Sequence, residues 1–238
     1  MRQLIDRLAY RYIFWPYRVS HLVSFLAKRS FSQTGEDSIL QQLIGMKLRG
    51  TYIDIGCGHP VRGSNTYHFY VQKWSGLAID ASPKFKNVWK LKRPRDTFLC
   101  GSISLEGKLG SRQFFQFYAD VYSTLDETRA NQLINAGLEL QKCSKVHEIE
   151  LRKAIINYMS ERKNQSIDLL SVDVEGLELE VLKVFPWLQY KPSFVCVEEL
   201  QNPIGNFSLI SNYLAGQNYT LVAHTGMSSI YMLDRNVS

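Results

Sequence analysis

Two acidic side chains and a pair of glycines are the residues in this sequence best placed to do chemistry. The run from Thr51 to Gly58 (TYIDIGCG) is rich in β-branched residues and ends in Gly-x-Gly. Glycines at 56 and 58 let the backbone turn sharply and approach a ligand closely. The run Leu77–Asp80 predicts a second strand that ends in an acid. A Rossmann-type fold places there the carboxylate that bridges two ribose hydroxyls, so the pattern predicts a nucleoside site.

The surroundings of these residues indicate which nucleoside the predicted site binds. Asp54 lies inside the strand, where a carboxylate is costly to bury without a partner, and an aminoacyl ammonium group could be that partner. His59 and Pro60 follow Gly58, so the third glycine that brings a helix N-terminus onto a pyrophosphate is missing. A cationic nucleoside without phosphates fits both features. The cofactor predicted here is S-adenosyl-L-methionine.

More polar residues follow the other predicted strands. Ser102 follows a strand at Thr97–Cys100, and the strand at 167–174 contains Asp173 and runs into Glu175. A strand at Phe194–Val197 ends in Glu198 and Glu199. Because ligands of open α/β sheets bind at the carboxyl ends of the strands, we expect one cluster there. Its expected members are Asp54, Gly56, Asp80, Ser102, Asp173, Glu175 and Glu198, although each acid alone could be a solvated strand-end residue.

Methyl transfer from a sulfonium is an in-line displacement, and a general base helps it when the accepting group is a weak nucleophile. His59, Asp173 and Glu175 are the candidates by residue type and expected position. His59 could instead be a turn residue that hydrogen-bonds its own backbone. Asp173 and Glu175 could together hold a divalent metal, but one pair of carboxylates is too few, and no metal site is predicted.

The remaining pattern predicts an α/β fold. Helical stretches at 65–74, 83–91 and 177–182 alternate with the strands, and 219–223 with 230–233 make a terminal antiparallel pair. Residues of about 104–150 form an insertion, with a hairpin near 113–118 and a helix at 128–140; a further helix follows at 151–158. An insertion of this length is usually a substrate-recognition cap or an oligomer contact.

Charge and composition indicate one main domain with a basic extension. The chain has 238 residues and 45% apolar residues, which suits a single domain at 31–238. Residues 1–30 have helical spacing and carry six cations against Asp6, which is +5 of the net +6. They could contact an anionic membrane peripherally or pack on their own domain. The nearly neutral remainder argues against nucleic-acid binding.

The cysteines and the apolar runs indicate the compartment. Four cysteines without a C-x-x-C pair suit reduced thiols, and arginines interrupt every early apolar run, so neither a signal peptide nor a membrane span is predicted. The expected location is therefore the cytoplasm.

Three ordered motifs resemble the FkbM family of methyltransferases: residues 32–37 (SQTGED), Tyr52–Gly58 followed by Ser64-Asn65-Thr66, and 167–176, which ends in Asp-Val-Glu-Gly. The resemblance implies a class I methyltransferase fold: a Rossmann-like, mostly parallel seven-stranded sheet with helices on both faces and an antiparallel C-terminal hairpin. It also implies O-methylation, often of sugars or other natural products. By resemblance, Glu36 and Asn65 lie near the cofactor or substrate, and Asp173 and Glu175 line the reaction pocket. His59 departs from the pattern, since members commonly have Asn or another small polar residue there.

Two other functions remain open from the sequence. A dinucleotide-dependent oxidoreductase is disfavoured by the broken glycine spacing. A non-catalytic, membrane-associated protein of this fold, anchored by its basic N-terminus, is disfavoured by the presence of both Asp54 and Asp80. The acceptor is expected to be a small molecule or a glycan. The methylated hydroxyl could belong to a sugar, a lipid-linked glycan or a polyketide. The oligomeric state is left open.

Overall fold

The computed structural model describes residues 30–105, 107, 109–162, 166–200 and 208–235. The predicted basic extension of residues 1–30 therefore lies almost wholly outside the described residues. None of the helices in the described ranges has the length and hydropathy needed to span a bilayer.

A central sheet of seven strands runs through the described part of the chain, as predicted. Its strands are β1 (Thr51–Ile55), β2 (Ser75–Asp80), β3 (Thr97–Cys100), β7 (Leu169–Val172), β8 (Phe194–Glu198), β9 (Tyr219–His224) and β10 (Ser228–Leu233). The order is β3-β2-β1-β7-β8-β10-β9, and only β10 pairs antiparallel with its neighbours. The order reverses direction between β1 and β7, which is where open parallel sheets bind ligands.

Helices cover both faces of this sheet. They are α1 (Glu36–Ile44), α2 (Tyr67–Val71), α3 (Lys86–Lys92), α5 (Leu151–Ser160), α6 (Glu178–Val184) and α7 (Leu209–Gly216), and a 3₁₀ turn at Pro83–Phe85 precedes α3. Because side chains alternate along a strand, Ile53 and Ile55 pack under α5, α6 and α7, whereas Tyr52 packs under α1 and α2. The central strands β1, β7 and β8 are buried on both faces, which explains their nearly continuous apolar sequences.

The insertion forms a second, three-stranded sheet. Its strands are β4 (Ser102–Ile103), β5 (Ser111–Phe117) and β6 (Leu140–Ile149), with α4 (Glu127–Asn135) between β5 and β6. The prediction of a local hairpin near 113–118 was wrong, because β5 pairs with β6 beyond the helix. The helix predicted at 128–140 ends at Asn135 for the same reason. β6 escaped the sequence analysis because it is mostly exposed and lacks an apolar alternation.

Candidate active site

A cleft of about 790 Å³ opens at the carboxyl ends of the parallel strands. Gly56 and Gly58 follow β1, Asp80 ends β2, Ser102 follows β3, and Asp173 follows β7; all five line the cleft. His59 and Glu175 line it as well. The topology thus brings together most of the residues that the sequence predicted at this edge.

Gly56 occupies a position that no other residue can fill. Its φ of 76° lies in the left-handed region, and a Cβ built there would be 1.6 Å from the carbonyl oxygen of Asp173. Its N–H donates to the carbonyl oxygen of Ile79 at 2.8 Å. The ends of β1, β2 and β7 are therefore drawn together at this glycine, which forms the floor of the cleft.

Asp80 presents a carboxylate to the cleft in a fixed orientation. One oxygen accepts the N–H of Gly58 and the other accepts the N–H of Ser82, each at 2.7 Å. Burial raises the pKa of Asp80 to about 6, and the two N–H donors act against this rise. Each carboxylate oxygen has lone pairs left, so both can accept hydrogen bonds from a ligand.

Ser102 has an unused hydrogen-bonding group in the same part of the cleft. The residue is 2% exposed, and its hydroxyl has no hydrogen-bond partner among the described residues. A buried polar atom without a partner is costly and rare, so it indicates a place for a polar ligand atom. Phe85 and Ile103 line the cleft beside it with apolar surface.

Asp54, for which an ammonium group of the cofactor was considered as a partner, has a partner within the protein itself. Its side chain does not line the cleft; it accepts a hydrogen bond from the hydroxyl of Thr66. Burial raises the pKa of Asp54, and the positive charge of Arg93 opposes the rise. Asp54 and Asp80 do lie on adjacent strands of one sheet and on the same face, since Asp54 pairs with Ala78.

Arg93 organises the buried side of the cleft wall. It is 1% exposed, pairs with Asp96 at 2.6 Å, and donates to the hydroxyls of Tyr52 and Thr66 at 2.7 and 2.9 Å. It also donates to the hydroxyl of Ser64 at 3.2 Å. The Ser64-Asn65-Thr66 motif is thus held in place by an arginine that the sequence analysis missed.

Glu36 and Asn65, expected near the cofactor or substrate, do not line the cleft. The Glu36 carboxylate accepts the N–H of Thr34 at 3.0 Å and the hydroxyl of Thr225 at 2.9 Å. It therefore connects the motif at residues 32–37 to the turn between β9 and β10. Asn65 donates to Ser171 on β7 at 3.3 Å. Gln33 of the 32–37 motif lines the cleft instead, together with Ser30 and Phe31 just before the motif.

His59 lines the cleft but uses its ring in a turn. Nδ1 accepts the N–H groups of Val61 and Arg62, both at 3.1 Å. The neutral ring then carries its proton on Nε2, which leaves no lone pair facing the cleft. Burial, with the charge of Arg62, lowers the pKa of His59. This geometry favours the turn role over that of a general base.

Three carboxylates gather where β7 and β8 end. One carboxylate oxygen each of Asp173, Glu175 and Glu198 lies within 4.8 Å of the other two. Burial, followed by the neighbouring carboxylates, raises the pKa of Asp173 well above its usual range. Burial and Glu198 raise the pKa of Glu175 to about 7, against the opposing charge of Arg129. All three acids were expected at this edge of the sheet, but only Asp173 and Glu175 were considered together as metal ligands. With Glu198 beside them, the trio can stabilise a positively charged group or hold a hard cation.

The insertion covers the cleft. Phe114, Asp120 and the stretch 123–125 line it from above, and Asp120 pairs with Lys84 across the rim at 2.7 Å. Arg129, on α4, pairs with Glu175 at 3.0 Å. Of the two roles predicted for the insertion, the structure therefore supports the cap.

Two residues of this region had no readable signal in the sequence. Arg129 is far from Glu175 along the chain, and only the pairing of β5 with β6 brings α4 over the cleft. Glu178 accepts the N–H groups of Val174 and Gly176 at 3.1 and 2.9 Å and so fixes the loop that carries Glu175. An acid at the start of a helix is a general signal, so the sequence did not single it out.

Comparison with known proteins identifies the family of this chain. A comparison with curated proteins finds no significant match. A TehB-like SAM-dependent methyltransferase from Corynebacterium glutamicum superposes with a TM-score of 0.41 at 10% identity, covering 92% of this chain and 97% of that chain. A human methyltransferase 10 domain containing protein gives 0.43 at 12% identity, covering 82% and 78%. At these TM-scores neither superposition assigns the family or the activity of this chain. Residues 54–221 match the methyltransferase FkbM domain, and this chain belongs to that family.

Proposed function

We propose that this protein is an S-adenosylmethionine-dependent O-methyltransferase that methylates a hydroxyl of a sugar, glycan or other natural product. The observation that carries the proposal is the presence, in one cleft, of two acidic groups: the oriented Asp80 carboxylate, and the carboxylates of Asp173 and Glu175 with Glu198 beside them. The first suits a ribose and the second suits a positive charge.

The residues of the cleft fit the cofactor in three respects. Asp80 offers two oxygens for two vicinal hydroxyls, and the unpartnered hydroxyl of Ser102 offers a hydrogen bond on the side of β3. The apolar surfaces of Phe85 and Ile103 suit the faces of a purine. The cofactor, when bound, supplies a methyl group on a sulfonium centre.

The turn after β1 supports a ligand without phosphates. α2 begins only at Tyr67, so no helix N-terminus lies directly after Gly58 to receive a pyrophosphate. A dinucleotide-dependent oxidoreductase is therefore not proposed.

Glu175 is the residue best suited to accept the proton of the acceptor hydroxyl. It lines the cleft, and its pKa of about 7 places it close to the pH at which a general base is most useful. Arg129 orients this carboxylate through the 3.0 Å ion pair. Asp173 and Glu198, whose pKa values are also raised, form the electrostatic surroundings of the base.

The cap supplies the other requirement of a displacement reaction, which is alignment of the reactants without water. Phe114 and Leu125 bring apolar surface over the cleft, while Asp120 and Ser123 bring polar groups to its lining. A mixed lining of this kind suits an acceptor that has hydroxyls on a partly apolar body.

Transfer from methyl-labelled S-adenosylmethionine to a panel of acceptors tests the proposal. The panel contains free sugars, lipid-linked glycans and polyketides, and the product is analysed by NMR for the methoxy resonance. We expect label on oxygen in at least one class, abolished by Glu175→Gln. Label on nitrogen or carbon alone would contradict O-methylation, and reduction of a nicotinamide dinucleotide would contradict methyl transfer altogether.

A further inference from the structure

A basic surface with protruding apolar side chains lies at the edge of the sheet opposite the cleft. It consists of Met46, Lys47, Leu48, Arg49, Lys73 and Arg95, and we call it the amino edge. Residues 46–49 precede β1, Lys73 precedes β2, and Arg95 precedes β3. Because these strands are parallel, their amino ends meet at one edge, whereas the cleft lies at their carboxyl ends.

The four cations of the amino edge converge on one depression. Lys47, Arg49, Lys73 and Arg95 line a cavity of about 710 Å³ together with a single acid, Asp168. Asp168 is already engaged, since it pairs with Lys47 and accepts the N–H of Thr51 at 2.9 Å. Within the described residues, Arg49 and Lys73 make no ion pair. The depression therefore has an excess of positive charge that nothing in this part of the chain neutralises.

Two large apolar side chains project from the same loop. Met46 is 105% exposed relative to a free side chain, and Leu48 is 87% exposed, so neither packs against the described part of the protein. They alternate with Lys47 and Arg49 in the sequence Met-Lys-Leu-Arg. Apolar residues that protrude between cations are typical of segments that enter the headgroup region of an anionic membrane.

We propose that the amino edge docks on an anionic lipid membrane, with Met46 and Leu48 in the headgroup region and the cations against the lipid phosphates. The basic N-terminal segment of this chain is a poor occupant for the surface, because its +5 charge would be repelled by it. Nucleic acid is a poorer fit, since two protruding aliphatic side chains find no partner along a phosphate backbone. The proposal is independent of the methyl acceptor, and it places the cleft on the side away from the bilayer.

Co-sedimentation of the full chain with lipid vesicles tests this inference. One set of vesicles is phosphatidylcholine, and the other is an equal mixture of phosphatidylcholine and phosphatidylglycerol. We expect binding to the anionic vesicles only. Arg49→Glu/Lys73→Glu should weaken it roughly 25-fold or more, since each of the two cations lost near such a surface contributes about fivefold. Met46→Ser/Leu48→Ser should leave weak binding that high salt removes.

Matched variants separate the amino edge from net charge and from the N-terminal segment. Lys142→Glu/Lys145→Glu makes the same charge change on exposed positions of β6, and Leu188→Ser removes an equally exposed side chain elsewhere. Both should bind as the wild type does, and thermal melting should show all variants folded. Equal binding by the Arg49/Lys73 variant and the wild type would overturn the proposal, because residues 1–29 would then account for it. No binding to anionic vesicles, or equally tight binding to an RNA duplex that the same variants abolish, would also overturn it.

Discussion

The Asp80 carboxylate accepts a 2.7 Å hydrogen bond from the backbone N–H of Gly58, so the end of β2 is fixed to the turn that follows β1. This contact orients the only acid of these two strands that lines the cleft. Asp54 lies one strand away on the same face. It accepts a hydrogen bond from the hydroxyl of Thr66, and the positive charge of Arg93 stabilises its charged form. The two acids therefore have different surroundings: Asp80 lines the cleft, whereas Asp54 is bonded within the protein.

The first prediction concerns the glycine turn. Gly56→Ala should destabilise the fold severely, because its Cβ would meet the carbonyl oxygen of Asp173 at 1.6 Å. Gly58→Ala is the matched control: its φ is also positive, at 51°, but no atom lies within 4 Å of the added Cβ. The control should lose only about 1–2 kcal/mol, the cost of a left-handed backbone, or roughly 2–8 °C in melting temperature. Similar melting temperatures for the two variants would contradict the close approach.

The second prediction concerns the pH dependence of stability. Glu175 has its pKa raised from 4.5 to about 7, and Asp80 from 3.8 to about 6. A carboxyl group with a raised pKa in the folded state contributes stability that is complete below its unfolded pKa and is lost as pH rises through its folded pKa. The melting temperature of the ligand-free protein should therefore fall between about pH 4 and pH 7.

Glu175→Gln should flatten the upper part of this fall, whereas Glu161→Gln, which changes an acid with an 80% exposed side chain, should not. Differential scanning fluorimetry across the pH range measures both curves. A melting temperature that rises steadily through this window, with no difference between the variants, would contradict the raised pKa values.

The third prediction concerns Arg129. Its charge lowers the pKa of Glu175, so Arg129→Gln should raise that pKa further above about 7. If Glu175 is the general base, the acidic limb of the kcat profile should then move to higher pH, with activity lost near neutrality and recovered in alkaline buffer. Arg152→Gln, an exposed arginine at the start of α5, should leave the profile in place. Loss of activity at every pH, without a shift of the limb, would assign Arg129 a different role.

The fourth prediction concerns protons released on binding. A sulfonium near the carboxylate trio should favour their charged forms, so binding of S-adenosylmethionine near pH 7 should release protons from Glu175 and its neighbours. S-adenosylhomocysteine, whose sulfur is an uncharged thioether, should release fewer. Calorimetry in buffers of different ionisation enthalpy counts these protons. Equal release for both ligands would place the sulfonium away from the trio.

The sequence predicted the central sheet well because its strands are buried on both faces and therefore read as apolar, β-branched runs that end in glycines or acids. β6 was missed because one face of it is exposed and its partner β5 lies beyond a helix. Pairing across such a separation leaves no local pattern in the sequence.

The site residues also differ in whether the local sequence or only the tertiary fold determines their role. Asp80 could be predicted from its position at the end of a strand. The role of Asp54 could not, because it depends on Arg93, which approaches from the end of α3 on the same face. Arg129 likewise reaches Glu175 only through the tertiary fold. Residue type and strand position identified the edge of the sheet, and the buried partners decided which acids line the cleft.

The most direct test compares S-adenosylmethionine binding by calorimetry in Asp80→Asn and Asp54→Asn. Asp80→Asn should weaken binding roughly 10- to 100-fold, the equivalent of one charge-assisted hydrogen bond of about 1.5–3 kcal/mol. Asp54→Asn should lower the melting temperature while leaving the affinity of the folded protein within a few fold, because its carboxylate serves Thr66 and Arg93. Wild-type affinity in Asp80→Asn would contradict the account.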